Sequence, residues 1–443
     1  MKLFAIALSC ALAASAADEA VLIRDADVYP VTSAPVKNVS VLIRDGKIAE
    51  IGPKIAAGKG VHVVEAKGLR VYPGIIDSGT ELGLSEIPSE RMTVDTGELG
   101  EFMPQLRALV AVNPESEHFG VVRVNGITSA MVFPGSTGGG GGRFGGGATQ
   151  MIAGQAAMIH TDGWTWEDMA VSRSAAVQMI FPTLGRGGRG GYIPDNVTLE
   201  MFGAGGVTTF AHQKRTDDQQ IEKLAAFFED ARRYQKARAA NAPGFERNLK
   251  YEAMIPVLER KEPVAVSVSR AQCIHDAIAF AEKENIRIVL LQPEELLKVA
   301  PEVKAKNVPV ILGRVLALPE HEDDPYDEAF TLPGEAYKAG IKFAFGTFTN
   351  EFVRNIPYQA ATAVAFGLPY DEALKSITIN PAEIWGVADQ VGSIEKGKSA
   401  DLMITNGDPL EIQTQVSHVF IKGKDVPLTN KQTRLYEKYL NRP

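Results

Sequence analysis

Short β-branched apolar runs separated by polar turns mark both ends of the chain. Val21-Leu22-Ile23 and Val41-Leu42-Ile43 are two such runs, and Asp45-Gly46 between Ile43 and Ile48 spells a two-residue hairpin turn. Towards the C-terminus, residues 400–405 predict a strand, Asn406-Gly407-Asp408-Pro409 a turn, and Val416–Ile421 a further strand ending at Gly423. Two β-rich ends around a long middle imply that both ends build one small β-sandwich.

The middle changes period. Continuous apolar runs predict buried strands at residues 71–77, 127–133, 264–268, 286–291, 308–313 and 341–346. Helical stretches lie at 273–283 and 296–304. The longest runs over about 217–240, where Thr216 and Gln219 read as a capping box and Ile221, Leu224, Ala225, Phe228 and Ala231 recur at the 3.6-residue spacing of a one-sided helix. Repeated βα units with buried strands predict a parallel sheet wrapped by helices. Their number favours closure into a (β/α)8 TIM-type barrel over an open doubly wound sheet. The fold class is α/β. The expected division is a signal peptide over 1–17, a first sandwich part over 18–72, the barrel over 73–386, and a second sandwich part with a tail over 387–443.

Composition narrows the function classes. Of the 443 residues, 45% are hydrophobic and 23% charged, which excludes wholesale disorder. A formal net charge of -8 argues against nucleic-acid partners and anionic membranes, since both attract basic faces. Lys2, an apolar run over residues 3–12 and the small residues Ala14-Ser15-Ala16 read as an export signal, so the expected location is periplasmic or secreted. That run is too short to span a bilayer. Two cysteines exclude a disulfide scaffold. After cleavage Cys273 is the sole thiol, and its apolar helix predicts inert core.

Two glycine-rich stretches, 138–147 with Arg143 and Phe144, and 184–191 with Arg186 and Arg189, lack the Lys-Ser/Thr ending of a phosphate loop. Their arginines are candidates to meet a carboxylate at a barrel mouth, against the plainer reading of a surface loop.

Tyr72-Pro73-Gly74-Ile75-Ile76-Asp77 is similar to a motif of the amidohydrolase superfamily, and the C-terminal half adds Ile377-Thr378-Ile379-Asn380-Pro381-Ala382, Val391-Gly392-Ser393-Ile394-Glu395-Lys396-Gly397-Lys398 and Ala400-Asp401-Leu402. With Gly163-Trp164-Thr165-Trp166-Glu167-Asp168-Met169, the chain most resembles the exported imidazolonepropionase-like members. The resemblance implies a metal-holding barrel, usually with zinc, that hydrolyses non-peptide carbon–nitrogen bonds. It also implies ligand positions that this chain fills differently. Ser78 and Thr80 stand where the resemblance places a His-x-His pair, Ser267 and Gln292 where it places histidines, and Phe348 where it places the metal-binding Asp.

Neutral hydroxyls and an amide are weak ligands for a divalent ion, and a phenyl ring is none. No metal and no other cofactor is therefore expected. The seven histidines form no HxH, HxxH or HxxxH pair. His160 with Asp162, at the end of a candidate strand, is the best residual pair, although a histidine there is more often a bonded structural residue. His212 is a candidate to line the barrel, and His321 lies in the acidic run 320–324. His275 falls in a helix, and His62 and His418 fall in the sandwich. Asp77 and Glu81 flank the altered first-strand site and, with Glu294 and Glu295, are candidates for metal-free acid–base work. The plainer reading makes Asp77 a cap on the strand and Glu294 a helix start. Trp164 and Trp166 are expected to be buried against the barrel.

Three functions compete. The first is a non-catalytic binding or partner protein, associating with an active relative or with itself. A solvent-open pocket of Ser78, Thr80, Ser267 and Gln292 for a small neutral molecule would mark it. The second is a true hydrolase with displaced ligands, marked by bound metal. The third is a structural subunit, marked by Phe348 filling the barrel mouth.

Overall fold

The computed structural model describes residues 20–135, 150–182, 210–241, 243–319 and 324–442. The expected signal peptide, both glycine-rich stretches with Arg143, Arg186 and Arg189, and His321 lie outside them.

The N-terminal strands are β1 (Val21–Val28), β2 (Val36–Arg44), β3 (Lys47–Gly52), β4 (His62–Glu65) and β5 (Arg70–Pro73). The barrel strands follow: β6 (Ile75–Thr80), β7 (Ile127–Val132), β8 (Ile152–His160), β9 (Ala170–Ile180), β10 (Val264–Ser267), β11 (Ile288–Leu291), β12 (Val310–Leu312) and β13 (Phe343–Phe345). The chain closes with β14 (Leu402–Thr405), β15 (Val416–Ile421) and β16 (Lys424–Asp425).

Both ends meet in one sheet. β1 and β2 pair antiparallel with Val21 opposite Ile43 and Ile23 opposite Val41, so the two apolar runs face each other residue for residue. The Asp45-Gly46 turn joins β2 to β3 with both residues at positive φ (51° and 73°), the geometry a tight hairpin demands. β5 pairs β1 on one side and β14 on the other, which stitches the C-terminal strands to the N-terminal ones. Ile23, Val41, Ile43, Val71, Leu402, Ile404 and Phe420 form this sheet's own apolar cluster.

The second sheet runs in the order β6 to β13. Alternate strand residues divide between two cores, as a period of two requires. Val264, Val266, Leu290, Val310 and Phe343 face outward onto helices that contribute Ile274, Ile278, Val303 and Ala360. Ile76, Met131, Met158, Ala176, Ala265, Val289, Ile311 and Ala344 face one another inside. Each large aliphatic chain so buried contributes about 1.5–3 kcal/mol. No ladder joins β13 to β6. The ring is completed there by the Phe348 amide donating to the Gly79 carbonyl (2.7 Å) and by bonds to Asp77 described below.

Three expectations change. The sheet is not all parallel: β8 runs antiparallel to both β7 and β9. The connection from β8 to β9 spans only residues 161–169, too short for the crossover helix that parallel neighbours require. The long helix starts at Phe210, not near 217, so Thr216 lies inside it rather than at its N-terminus. Its buried face, Leu224, Phe228 and Ala231, is the one the spacing predicts. Trp164 is 88% exposed, whereas Trp166 is partly buried beneath the Arg173 guanidinium. Among the described residues no helix is long and apolar enough to cross a membrane.

Candidate functional site at the barrel mouth

The C-terminal ends of β6 and β13 meet around Asp77. Its side chain is fully buried. Oδ1 accepts the Gly79 amide (3.0 Å) and the Thr347 amide (3.1 Å), and Oδ2 accepts the Thr347 hydroxyl (2.5 Å). Burial outweighs these three donors and pushes the Asp77 carboxyl up to about 7. Such a group holds a proton at neutral pH far more readily than an exposed aspartate. It is also the clasp between the first and last strands of the ring.

Phe348 fills the space beside this clasp. Its ring is 2% exposed and belongs to the inner core. Glycines make the room: a Cβ at Gly79 would stand 2.8 Å from the ring, and one at Gly346 would stand 2.9 Å from it. Phe348 adopts φ of +53°, a left-handed conformation that bulky residues rarely take and that costs about 1–3 kcal/mol. Packing and the amide bond to Gly79 hold it there.

The expected polar pocket is not assembled. Ser78 and Thr80 are fully buried. The Thr80 hydroxyl donates to the Thr349 carbonyl (2.5 Å) and accepts the Leu82 amide (3.1 Å), whereas the Ser78 hydroxyl has no bonding partner among the described residues. Irregular register between β6 and β7 after Asp77 turns Gly79, rather than Ser78 or Thr80, towards Phe348. Ser267 ends β10 opposite Leu291. Gln292, just past β11, lines a cavity of about 160 Å³ together with Gly313, Arg314 and Leu332, and neither Ser78, Thr80 nor Ser267 reaches it. Glu81 is half-buried at the end of the first-strand segment, and Glu295 accepts the Ala271 amide (2.8 Å), capping the helix Ala271–Lys283.

His160 and Asp162 are not a pair at the mouth. Because β8 is reversed, His160 sits opposite Ser129, near the start of β7, at the far end of the barrel. Its Nδ1 lies 3.6 Å from Asp401 Oδ2, and burial lowers its pKa more than that carboxylate raises it. Asp162 instead holds Arg123 (2.5 Å). His275 pairs with Glu302 (2.9 Å), His418 with Asp425 (2.8 Å), and His118 Nε2 lies 3.0 Å from the Glu86 carbonyl. His212 lies on the long helix and not on a barrel strand. Cys273 is buried in apolar surroundings.

A divalent metal does not fit the residues at the mouth. Catalytic sites need about three imidazole or carboxylate ligands and an open position. Here glycine, hydroxyls, an amide and a phenyl ring stand in those places, and both oxygens of Asp77 are taken up by Gly79 and Thr347. Among the described residues no three His, Cys, Asp or Glu side chains come together as a metal group.

Sequence reasoning missed Gly79, Gly346 and Thr347. The two glycines had a signal, since each stands two residues from a residue already singled out, Asp77 and Phe348. The Thr347 contact depends on ring closure and had none.

The Amidohydrolase family model matches residues 200–426. The crystal structure of an amidohydrolase from Thermotoga maritima MSB8 superposes with a TM-score of 0.75 at 25% identity, covering 92% of this chain and 99% of that one. The amidohydrolase tasK of Hapsidospora irregularis is 22% identical over 415 residues, 86% of this chain and 39% of that protein. An imidazolonepropionase of Sphingopyxis alaskensis is 45% identical over 51 residues, 11% of this chain and 13% of that protein. The aligned region thus spans less than two thirds of either curated relative.

Proposed function

Because this chain belongs to the amidohydrolase family, we propose that it is an exported, non-hydrolytic member whose barrel mouth is filled by one of its own side chains. The observation that carries the reading is Phe348, buried against Gly79 and Gly346 where a hydrolytic site would need an open, charged cavity. A full ligand set is worth about 10–16 kcal/mol to a structural zinc site, so its replacement by neutral groups leaves little to retain an ion. Without that ion, water keeps a pKa far above neutrality and is a poor nucleophile. The four-residue polar pocket that would mark a binding protein at the mouth is not formed. Any bound molecule therefore sits beside the mouth rather than in it. Export rests on the first seventeen residues, and N-terminal sequencing of the mature protein from periplasm or medium should begin at Ala17 or Asp18.

The deciding measurement is elemental analysis of protein purified without chelator, followed by zinc titration. Zinc is expected to be substoichiometric and weakly held. The double variant S78H/T80H should gain no tight site, because Phe348 still fills the mouth. One equivalent of tightly bound zinc in the wild-type protein would restore the rival reading, an active hydrolase of non-peptide carbon–nitrogen bonds with displaced ligands.

A further inference from the structure

The helix Lys431–Leu440 has no buried residue. A helix this short is marginal by itself in water, and here its first turn holds it. The Asn430 side chain accepts the Thr433 amide (3.0 Å), and the Thr433 hydroxyl accepts the Asn430 amide (2.9 Å). Asn430 Nδ2 also donates to the Gly120 carbonyl (3.3 Å), which ties the helix to the barrel. One stripe of it is apolar, since Leu435, Tyr436, Tyr439 and Leu440 follow the 3.6-residue period. Tyr436, Tyr439 and Leu440 are each at least 60% exposed. By the same period Lys431, Arg434 and Lys438 line up along one edge of that stripe. Arg434 lies 3.7 Å from Glu117, whereas Lys431 and Lys438 have no carboxylate partner among the described residues.

A surface of opposite character lies across the barrel. The long helix and the helix Ala271–Lys283 flank an open groove of about 1030 Å³. Ile221, Ala225, Ala226 and Ala279 give it a low apolar lining. Six carboxylates and three cations also line it, so it is net negative. One of the three cations, Arg232, is already paired with Glu284. Asp218 and Glu222 stand exposed on the same face of their helix, with Asp276 on the helix opposite.

We propose that the helix Lys431–Leu440 docks in this groove on a second copy of the chain. Ten helical residues form a cylinder about 10 Å across and 15 Å long, so the groove has room for the inserted half. The apolar stripe meets the alanines, and the basic edge meets Asp218 and Glu222, as in other pairings of an amphipathic helix with a groove. One molecule cannot satisfy its own groove. Its helix rests on Glu117–Arg123, between the first two strands of the ring, whereas the groove's helices flank β10, the fifth of eight. Placement on opposite sides also excludes a two-fold dimer that makes both contacts at once. The contact is head-to-tail and builds open chains or a closed ring. An anionic bilayer would attract the same basic edge, but it repels a chain whose net charge is -8. The stripe offers about 400–600 Å² of aromatic and aliphatic surface. About 1,000 Å² is then buried over both partners, the low end for a specific contact, so the association is weak.

The test is sedimentation velocity of the mature chain over a range of concentrations. Association should set in at about 0.1 mM protein at low salt and pass beyond the dimer as concentration rises. It should weaken at least tenfold in about 0.5 M salt, where screening shortens to about 4 Å. The variants K431E/K438E and D218K/E222K should each weaken association at least tenfold. All four side chains are exposed, so both variants should keep the melting temperature of the dilute wild type. An equimolar mixture of the two variants should associate again, because the acidic helix of one then faces the basic groove of the other. A wild type that stays monomeric, association that D218K/E222K leaves intact, or a mixture that stays monomeric overturns the proposal. A wild type that is monomeric in solution yet floats with phosphatidylglycerol vesicles overturns it too, and assigns the helix to a bilayer.

Discussion

Replacing Asp77 by alanine should lower the stability of the fold by about 3–5 kcal/mol, while asparagine at the same position should cost about 1 kcal/mol or less. The asymmetry follows from the clasp. Alanine strands two buried amides, at Gly79 and Thr347, leaves the Thr347 hydroxyl only its long bond to the Thr349 carbonyl (3.4 Å), and opens the one seam of the ring without a strand ladder. Asparagine keeps an acceptor for both amides and turns a donor to the Thr347 hydroxyl. The two proteins, wild type and D77N, also separate by pH. The Asp77 carboxyl titrates at about 7 in the fold and near 3.8 when unfolded. Between those values the unfolded chain has released its proton and the folded chain has not, so wild-type stability falls as pH rises. The slope contributed by this group is at most about 1.4 kcal/mol per pH unit, and it vanishes above the folded value. The carboxamide of D77N does not titrate. Urea unfolding of wild type and D77N at pH 5 and pH 8 should therefore show the wild type losing ground to the variant at the higher pH. Parallel behaviour of the two proteins would remove the clasp from the account.

The second large effect is an epistatic one. Phe348→Ala should cost about 3–5 kcal/mol, because it empties a close-packed interior whose strand residues include Ala176, Ala265 and Ala344. Gly79→Ala should cost about 1–3 kcal/mol, because its new methyl meets the ring at 2.8 Å and the backbone at Gly79 adds no strain of its own. With the ring gone, that collision is gone as well. The double variant should be less destabilised than the sum of the singles by about 1 kcal/mol or more, measured by denaturant unfolding in a double-mutant cycle. Additivity within about 0.5 kcal/mol would mean that Phe348 does not fill the space that Gly79 leaves.

Much of the architecture is legible in the sequence because its causes are local. The β-branched runs of β1 and β2 pair in the order that their hairpin turn sets. The strands β10 to β13 fall within the apolar runs that predict them. The buried face of the long helix is the one its spacing marks. The direction of β8 is different in kind. A continuous apolar run reads the same from either end, so nothing in residues 152–160 says that this strand points down the barrel. Its reversal puts His160 opposite Ser129, at the end of the barrel away from Phe348. The site suffered from a second non-local cause. Irregular pairing after Asp77 shifts which residue faces the axis, so an inference made from alternation lands on Ser78 and Thr80 when Gly79 is the one that meets Phe348. The exposed helix Lys431–Leu440, which leans on the helix Glu117–Arg123, was not anticipated, since little of its apolar surface is buried.

The reversed strand also decides what surrounds the opening. β7 ends at the top and β8 begins there, so the chain leaves at Gly135 and returns at Gln150 on the same side as Phe348. β9 ends at the top too, so Pro182 departs from that side. The short turn between β8 and β9 is left at the base, where Asp168 is held by Lys422 of the terminal sheet (2.5 Å). A fluorophore attached next to Gly135 or Pro182 would thus sense events above the plug, and one on Trp164 would sense only the underside.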